Sequence, residues 1–160
     1  ALSLLVLLGQ RVRWWLASDA TRIRWRLEEM EEGFNASRLG PCLRGVADGW
    51  RDADARVDRD RLADVLRSLF FHEVDPDSGR FLYRVELERE TLEIETDPDG
   101  NGQARVQVVA LFSTLQGEAW SPTWRVRVRA RMAEDDDDGW QAVRSEHETL
   151  ESDGRLRRER

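Results

Sequence analysis

Between Thr123 and Met132 the chain alternates apolar residues with arginine without a slip: Trp124, Val126, Val128, Ala130 and Met132 take turns with Arg125, Arg127, Arg129 and Arg131. A period of two is the repeat of an extended strand with one buried face. The even positions must therefore pack on a core, while four arginines stand in a row on the other side. Whatever else the chain does, it has to supply cover for that apolar side.

The cover comes from the first half of the sequence. Ser18 or Asp19 can cap a helix by accepting hydrogen bonds from the free N–H groups of its first turn. Ile23, Leu27, Met30 and Phe34 then recur at helical spacing as one apolar stripe, with Glu28, Glu29, Glu31 and Glu32 mostly off it as a solvated face. Pro41 suits the first turn of a short second helix over Cys42 to Ala47, and Asp48-Gly49 reads as a turn. Asp58 caps a third helix whose buried stripe is Leu62, Val65, Leu66, Leu69 and Phe70.

Strands follow the turn at Asp75-Pro76-Asp77-Ser78-Gly79. Phe81, Tyr83, Val85 and Leu87 alternate with polar residues, and then the apolar parity flips to Leu92 and Ile94. A bulge near Arg89 to Thr91 accounts for the flip, because an extra residue reverses which side chains face inward. A hairpin turn at Asp97 to Gly102 leads into a strand carrying Ala104, Val106, Val108, Ala110 and Phe112. Gly117 and Ser121-Pro122 bracket the link to the arginine strand, and an acidic loop over Ala133 to Gly139 precedes a last strand from Trp140 to Glu148. The fold class is α+β: three N-terminal helices packed on a curved, mostly antiparallel sheet of about four to six strands.

The two ends of the chain differ from this middle. Ala1 to Leu8 is almost wholly apolar and is followed by Arg11, Arg13 and the pair Trp14-Trp15. The run is too short to cross a bilayer alone, which takes about 20 residues, but Arg and Trp beside an apolar run are typical of a membrane interface. The organisation expected is a truncated membrane anchor over residues 1–17, one α+β domain over 18–150, and a charged tail over 151–160. A helix docked on the domain and a signal-peptide remnant are the competing readings of the first segment.

Composition removes several chemistries. A net charge of −7 argues against a nucleic-acid partner read through its phosphates, although a local basic face survives it. Cys42 is alone, so no intrachain disulfide or Cys-based zinc site can form, and its apolar neighbours Leu43 and Val46 mark it as a core residue.

Three helices, a bulged strand and long meandering strands closing on Gly139-Trp140-Gln141-Ala142-Val143 resemble the nuclear transport factor 2-like superfamily. More narrowly, Ser18 to Arg24, Gly49-Trp50-Arg51-Asp52 and Asp58 to Leu62 resemble small bacterial members with an N-terminal anchor. The resemblance spans about Ser18 to Glu148 and implies a cystatin-like α+β cone, a half-barrel whose apolar mouth can hold a small molecule. Members include isomerases, dehydratases and cyclases as well as non-enzymatic binding and dimerisation modules, so the fold does not supply the function. Catalytic members place an Asp, often with His or Tyr partners, inside the cone. No such motif matches here residue by residue, and no catalytic position is carried over.

Candidate residues fall into two sets. His147, Tyr83, Trp124 and Trp50 are candidates for a ligand pocket in the cone mouth, His147 because imidazole titrates near neutrality. Arg125, Arg127, Arg129 and Arg131 are candidates for an anionic-partner surface, set against a solvated face paired with Glu86, Glu88, Glu90 and Glu146. Same-face neighbours on a strand are about 6.6 Å apart, so their mutual repulsion in water is only ~0.6 kcal/mol per pair. Such a row therefore needs no ligand. Asp97-Pro98-Asp99-Gly100-Asn101-Gly102 starts like a calcium loop but has Val108 where the bidentate Glu belongs, so it reads as a turn. Asp135 to Asp138 reads as a solvated loop tip, and His72 as a helix-end residue. No metal and no cofactor is called for.

The function expected is a non-enzymatic, membrane-tethered binding or assembly module. The alternative is a small-molecule-binding protein or an isomerase- or dehydratase-like enzyme using the cone cavity. The partners expected are a second copy or another envelope protein on the sheet face, the membrane at the N-terminus, and a small apolar ligand, with no nucleic acid. The place expected is the bacterial cell envelope, anchored in the inner membrane with the domain outside the cytoplasm.

Overall fold

The computed structural model describes residues 17–53 and 56–152. The anchor expected over residues 1–17 and the tail expected over 151–160 lie outside the described residues except for Ala17, Glu151 and Ser152, the last two of which end the final strand. Helices α1 (Asp19–Asn35), α2 (Leu39–Arg44) and α3 (Arg59–His72) pack with strands β1 (Val46–Asp52), β2 (Tyr83–Thr96), β3 (Gln103–Gln116), β4 (Ala119–Asp135) and β5 (Gly139–Ser152). The strands form one sheet in the order β1-β5-β4-β3-β2; β1 runs parallel to β5 and every other pair is antiparallel. This is the α+β architecture expected, with the arginine strand β4 at its centre. Among the described residues no helix is long and apolar enough to cross a membrane.

Both predicted caps form. Ser18 Oγ accepts from the Thr21 amide at 3.3 Å, and Asp58 Oδ1 accepts from the Arg61 amide at 2.9 Å. The α1 stripe faces the sheet as its spacing requires, with Ile23 fully buried and Leu27, Met30 and Phe34 half-buried. Ile23 packs with Ala104, Val106, Met132 and Trp140, and Phe34 packs with Val85, Ala110 and Val126 one level along the sheet. The parity flip in β2 is a wide bulge: Glu88 pairs with Val109 and Glu93 with Gln107, so Arg89 to Leu92 stand against Val108 alone. Thr91 stitches it, donating to the Glu88 carbonyl at 2.7 Å and accepting from the Val109 amide at 2.8 Å.

Three expectations are corrected. Asp48-Gly49 is not a turn but the middle of β1; parallel pairing with β5 (Val46 with Ala142, Arg51 with Arg144) holds it extended against its composition. The short helix ends at Arg44, ahead of that strand. The α1 glutamates are not simply solvated. Glu31 accepts from the Leu87 amide at 3.0 Å and pairs with Arg89 at 2.8 Å, Glu28 pairs with Arg89 at 2.6 Å, and Glu29 pairs with Arg26 and Arg44. Asn35 adds a two-way bond to the Val85 backbone at 2.8 and 2.9 Å. These side chains occupy the open edge of β2, where unpaired backbone would otherwise recruit another strand.

On α3 only Ala63 is fully buried, and Val65, expected in the buried stripe, is 48% exposed. The helix leans on the edge strand β1 and on α2 rather than on the central strands, and its apolar side is only partly covered.

Candidate functional site

The helix-covered face of the sheet carries one half of the candidates. Five half-buried aromatic rings cluster there: Phe34 meets Phe70, Phe81 and Phe112 edge-on at centroid distances of 5.5–5.9 Å, and Trp124 stacks on Phe112 at 5.1 Å. Beside them, β4–β5 pairing puts His147 opposite Val128 and Thr149 opposite Val126, so His147, Ser145 and Thr149 share the helix side of the sheet, Ser145 half-buried and His147 and Thr149 exposed. His147 Nδ1 lies 3.2 Å from Asp52 Oδ2, and its ring meets Trp124 edge-on at 6.3 Å. The Trp50 indole donates to Ser145 Oγ at 3.2 Å, and the Trp124 indole donates to Thr149 Oγ1 at 3.0 Å.

The fold therefore brings His147, Trp124 and Trp50 together, and leaves Tyr83 out. Tyr83 lies at the start of β2, opposite Thr114 and beside Phe81, with β3 and β4 between it and the strand of His147. Asp52, which orients the His147 ring, was missed because β1 was read as a turn. A carboxylate partner 95 residues away from its histidine is a nonlocal feature that spacing alone cannot reveal.

The outward face carries the other half. Arg125 forms a two-pronged pair with Glu88, Nε to Oε1 at 2.6 Å and Nη2 to Oε2 at 2.7 Å, reaching across β3 to β2. That hydrogen-bonded guanidinium holds the Glu88 carboxyl below its ordinary range, against the opposing effect of burial. Arg127 pairs with Glu148 at 2.9 Å. Arg129 has no acid so close; it donates to Gln107 Oε1 at 2.9 Å and lies 3.5–3.7 Å from Glu148 and Glu146.

Arg131 is different. Its register partners are Arg105 on β3 and Arg144 on β5, and Arg144 in turn stands opposite Arg51 on β1. Four arginines thus lie abreast across four strands, all exposed. Among the described residues Arg105, Arg131 and Arg144 have no ion pair; Glu88, Glu146 and Glu148 are taken by Arg125, Arg127 and Arg129. A cavity of about 340 Å³ opens over this end of the face, lined by Arg105, Arg129, Arg131 and Arg144 with Glu93, Glu95 and Glu146 at its sides. An adjoining cavity of about 600 Å³ shares Glu95, Arg105 and Arg131 and runs on toward Thr96, Gln103 and Val143.

The remaining motifs are structural. Asp97 accepts from the Asp99 amide and Asn101 side chain at 3.0 Å each, and Asp135 accepts from the Asp137 and Asp138 amides at 2.9 and 3.0 Å, so both acidic loops tie off their own turns. Those amide bonds hold the Asp135 carboxyl below its usual range. Among the described residues no His, Cys, Asp and Glu gather as a metal site. Cys42 is buried, and burial pushes its thiol up to about 11. His72 ends α3, edge-on to Phe71 at 5.0 Å.

No protein-family model matches the chain, and no curated protein matches it. Solved structures do. A nuclear transport factor 2-like protein with a cystatin-like fold from Novosphingobium aromaticivorans is 13% identical, covering 94% of this chain and 93% of its own, with a TM-score of 0.66. A putative scytalone dehydratase from the same organism is 11% identical over 81% of this chain and 82% of its own, at 0.62. A ketosteroid isomerase-like protein from Erwinia carotovora atroseptica is 16% identical over 81% and 94%, at 0.53. At these identities the likeness establishes the fold alone: helices on an unclosed, curved five-stranded sheet, as in nuclear transport factor 2-like proteins with a cystatin-like fold.

Proposed function

We propose that this domain is a non-enzymatic binding module that works through the outward face of its sheet, held at a membrane of the bacterial envelope by residues 1–17. The observation that carries the reading is where space is left. On the helix side the half-buried rings of Phe34, Phe70, Phe81, Phe112 and Trp124 pack against one another, whereas two adjoining cavities open on the arginine face. A ligand entering the cone would have to displace packed rings; one docking outside would not. The tether rests on the apolar run Leu4 to Leu8 and the Arg and Trp residues behind it.

The test is vesicle flotation of the 160-residue chain against the double variant Leu5→Glu/Leu7→Glu. The intact chain should float with vesicles and the variant should stay in the lower fraction. Equal behaviour of the two would remove the tether.

One observation favours a second reading, a small-molecule site with isomerase- or dehydratase-like chemistry. A histidine held by a carboxyl, as His147 is by Asp52, is how a general base is oriented. The scytalone dehydratase and ketosteroid isomerase-like neighbours share the fold in which such a site would sit. Under this reading an aromatic carbonyl compound raises the melting temperature of the protein, and His147→Ala and Asp52→Ala both abolish the rise. A rise that survives both substitutions would reject it.

A further inference from the structure

We infer that the outward cavity between β2 and β5 binds a phosphate monoester group, gripped by Arg105, Arg131 and Arg144. The inference rests on the reading of the outward face as the working surface and names what that face takes.

Like charges directly opposite one another on neighbouring strands are unfavourable. Elsewhere on this face each arginine is matched with an acid or an amide: Arg125 with Glu88, Arg127 with Glu148, Arg129 with Gln107. At Arg131 the matching stops, and the cross-strand neighbours are both arginine. The nearby acids do not repair this. Glu93 receives the Gln107 side-chain amide at 3.2 Å, Glu146 faces Arg129, and Glu95 stands opposite Arg105 at the edge without reaching ion-pair distance. The charge is concentrated where the cavity is, and a guest anion is what would neutralise it.

The shape of the cluster selects the guest. Three guanidiniums rise from three adjacent strands spaced about 4.8 Å apart, each offering a planar fork of donors suited to paired oxygens. A carboxylate brings two oxygens and one charge. A phosphate monoester brings three peripheral oxygens and a charge of about −1.5 to −2, enough to accept from all three forks at once. The cavity of about 340 Å³ is of a size for such a group, and the adjoining space past Arg131 can hold the rest of the ester. An extended nucleic acid does not fit the same charges, because Glu93, Glu95 and Glu146 border the cluster and the chain as a whole is at −7.

The experiment is calorimetric titration of the 160-residue protein with phenyl phosphate, with succinate as the carboxylate probe. Phenyl phosphate should bind, and Arg131→Gln and Arg105→Gln should each weaken it by about tenfold or more, while Arg127→Gln, a neutralised member of the same row, should change it by less than about twofold. Cooperative melting at or above the parent's temperature establishes that the variants fold. Loss of the same size in Arg127→Gln, or no binding of phenyl phosphate, would overturn the inference. Succinate binding through Arg131 without phenyl phosphate binding would also overturn it, yet leave the outward face as the working surface. Ligand binding that depends on His147 and on none of the arginines would overturn both. Phosphatidylcholine vesicles doped with phosphatidic acid identify the source when the tether is disabled by Leu5→Glu/Leu7→Glu: retention of that variant that is lost on adding Arg131→Gln points to a lipid headgroup, and no retention with intact phenyl phosphate binding points to a soluble ester.

Discussion

Arg125 and Arg131 stand on the same face of the same strand, six residues apart, and their surroundings are opposite. Arg125 is met by Glu88 through two short bonds and by Glu151 at 3.8 Å. Arg131 is met by Arg105 and Arg144. Beneath them the apolar side is alike: Val126 under one end and Met132 under the other are each 2% exposed. The strand thus carries one uniform buried face and one graded outer face. Burial of the inner face makes the sheet; what varies along the outer face is left for pairing at one end and for recognition at the other.

The largest effects should come from the inner face and should not distinguish the ends. Met132→Ala, packed against Ile23 and Trp140, should cost about 2–5 kcal/mol in urea unfolding, and Val126→Ala about 2–3 kcal/mol, since both leave cavities in a closed core. A cost below about 1 kcal/mol at either position would mean that the core is not continuous along β4.

The ends should separate when the outer face is changed. Glu88→Gln removes the charge that matches Arg125 and should cost about 1 kcal/mol near neutral pH. The sign of its pH dependence follows from the depressed Glu88 carboxyl, lowered from 4.5 first by the Arg125 hydrogen bond. A group whose folded value is depressed contributes stability that is present above its unfolded value and lost as pH falls through its folded value. The gap between the protein and Glu88→Gln should therefore be full at pH 6–7 and close as pH falls below about 4. A gap that is constant with pH would assign the loss to packing.

How much of this was legible in the sequence depends on how local its cause is. The caps at Ser18 and Asp58, the α1 stripe and the hairpin turns are set within a few residues, and each was readable. The β2 bulge announced itself in the flip from Leu87 to Leu92. Strand β1 did not, because Asp48-Gly49 favours a turn and only pairing with β5 extends it. The arginine cluster is further still from the sequence. Asp135 pairs with Gly139 across the acidic turn, and a regular hairpin continued from there would set Arg131 against Val143. The irregularity after Met132 and Ala142 instead brings Arg144 opposite, so one bulged residue decides whether Arg144 joins the outer row or points into the core. The Arg125-to-Arg131 row was visible as a ladder; which of its rungs lack a partner was a matter of register between strands.

The smallest effect is also the most diagnostic, because its sign is reversed. Arg131→Gln removes a charge that has like neighbours on both sides and no acid within pairing distance among the described residues. Two adjacent like charges about 6 Å apart repel by ~0.7 kcal/mol in water, and less once salt screens them. The variant should therefore be more stable than the parent by a few tenths of a kcal/mol at low ionic strength. About 1 M salt should erase the gain, because the Debye length there falls to about 3 Å, shorter than the spacing of the guanidiniums. Saturating phenyl phosphate should do more than erase it, since the ligand stabilises only the chain that keeps Arg131. Urea midpoints of the two proteins at low salt, at high salt and with ligand give all three comparisons. If Arg131→Gln is less stable than the parent at low salt, the arginine is serving the fold as Arg125 does, and the two ends of the strand are alike after all.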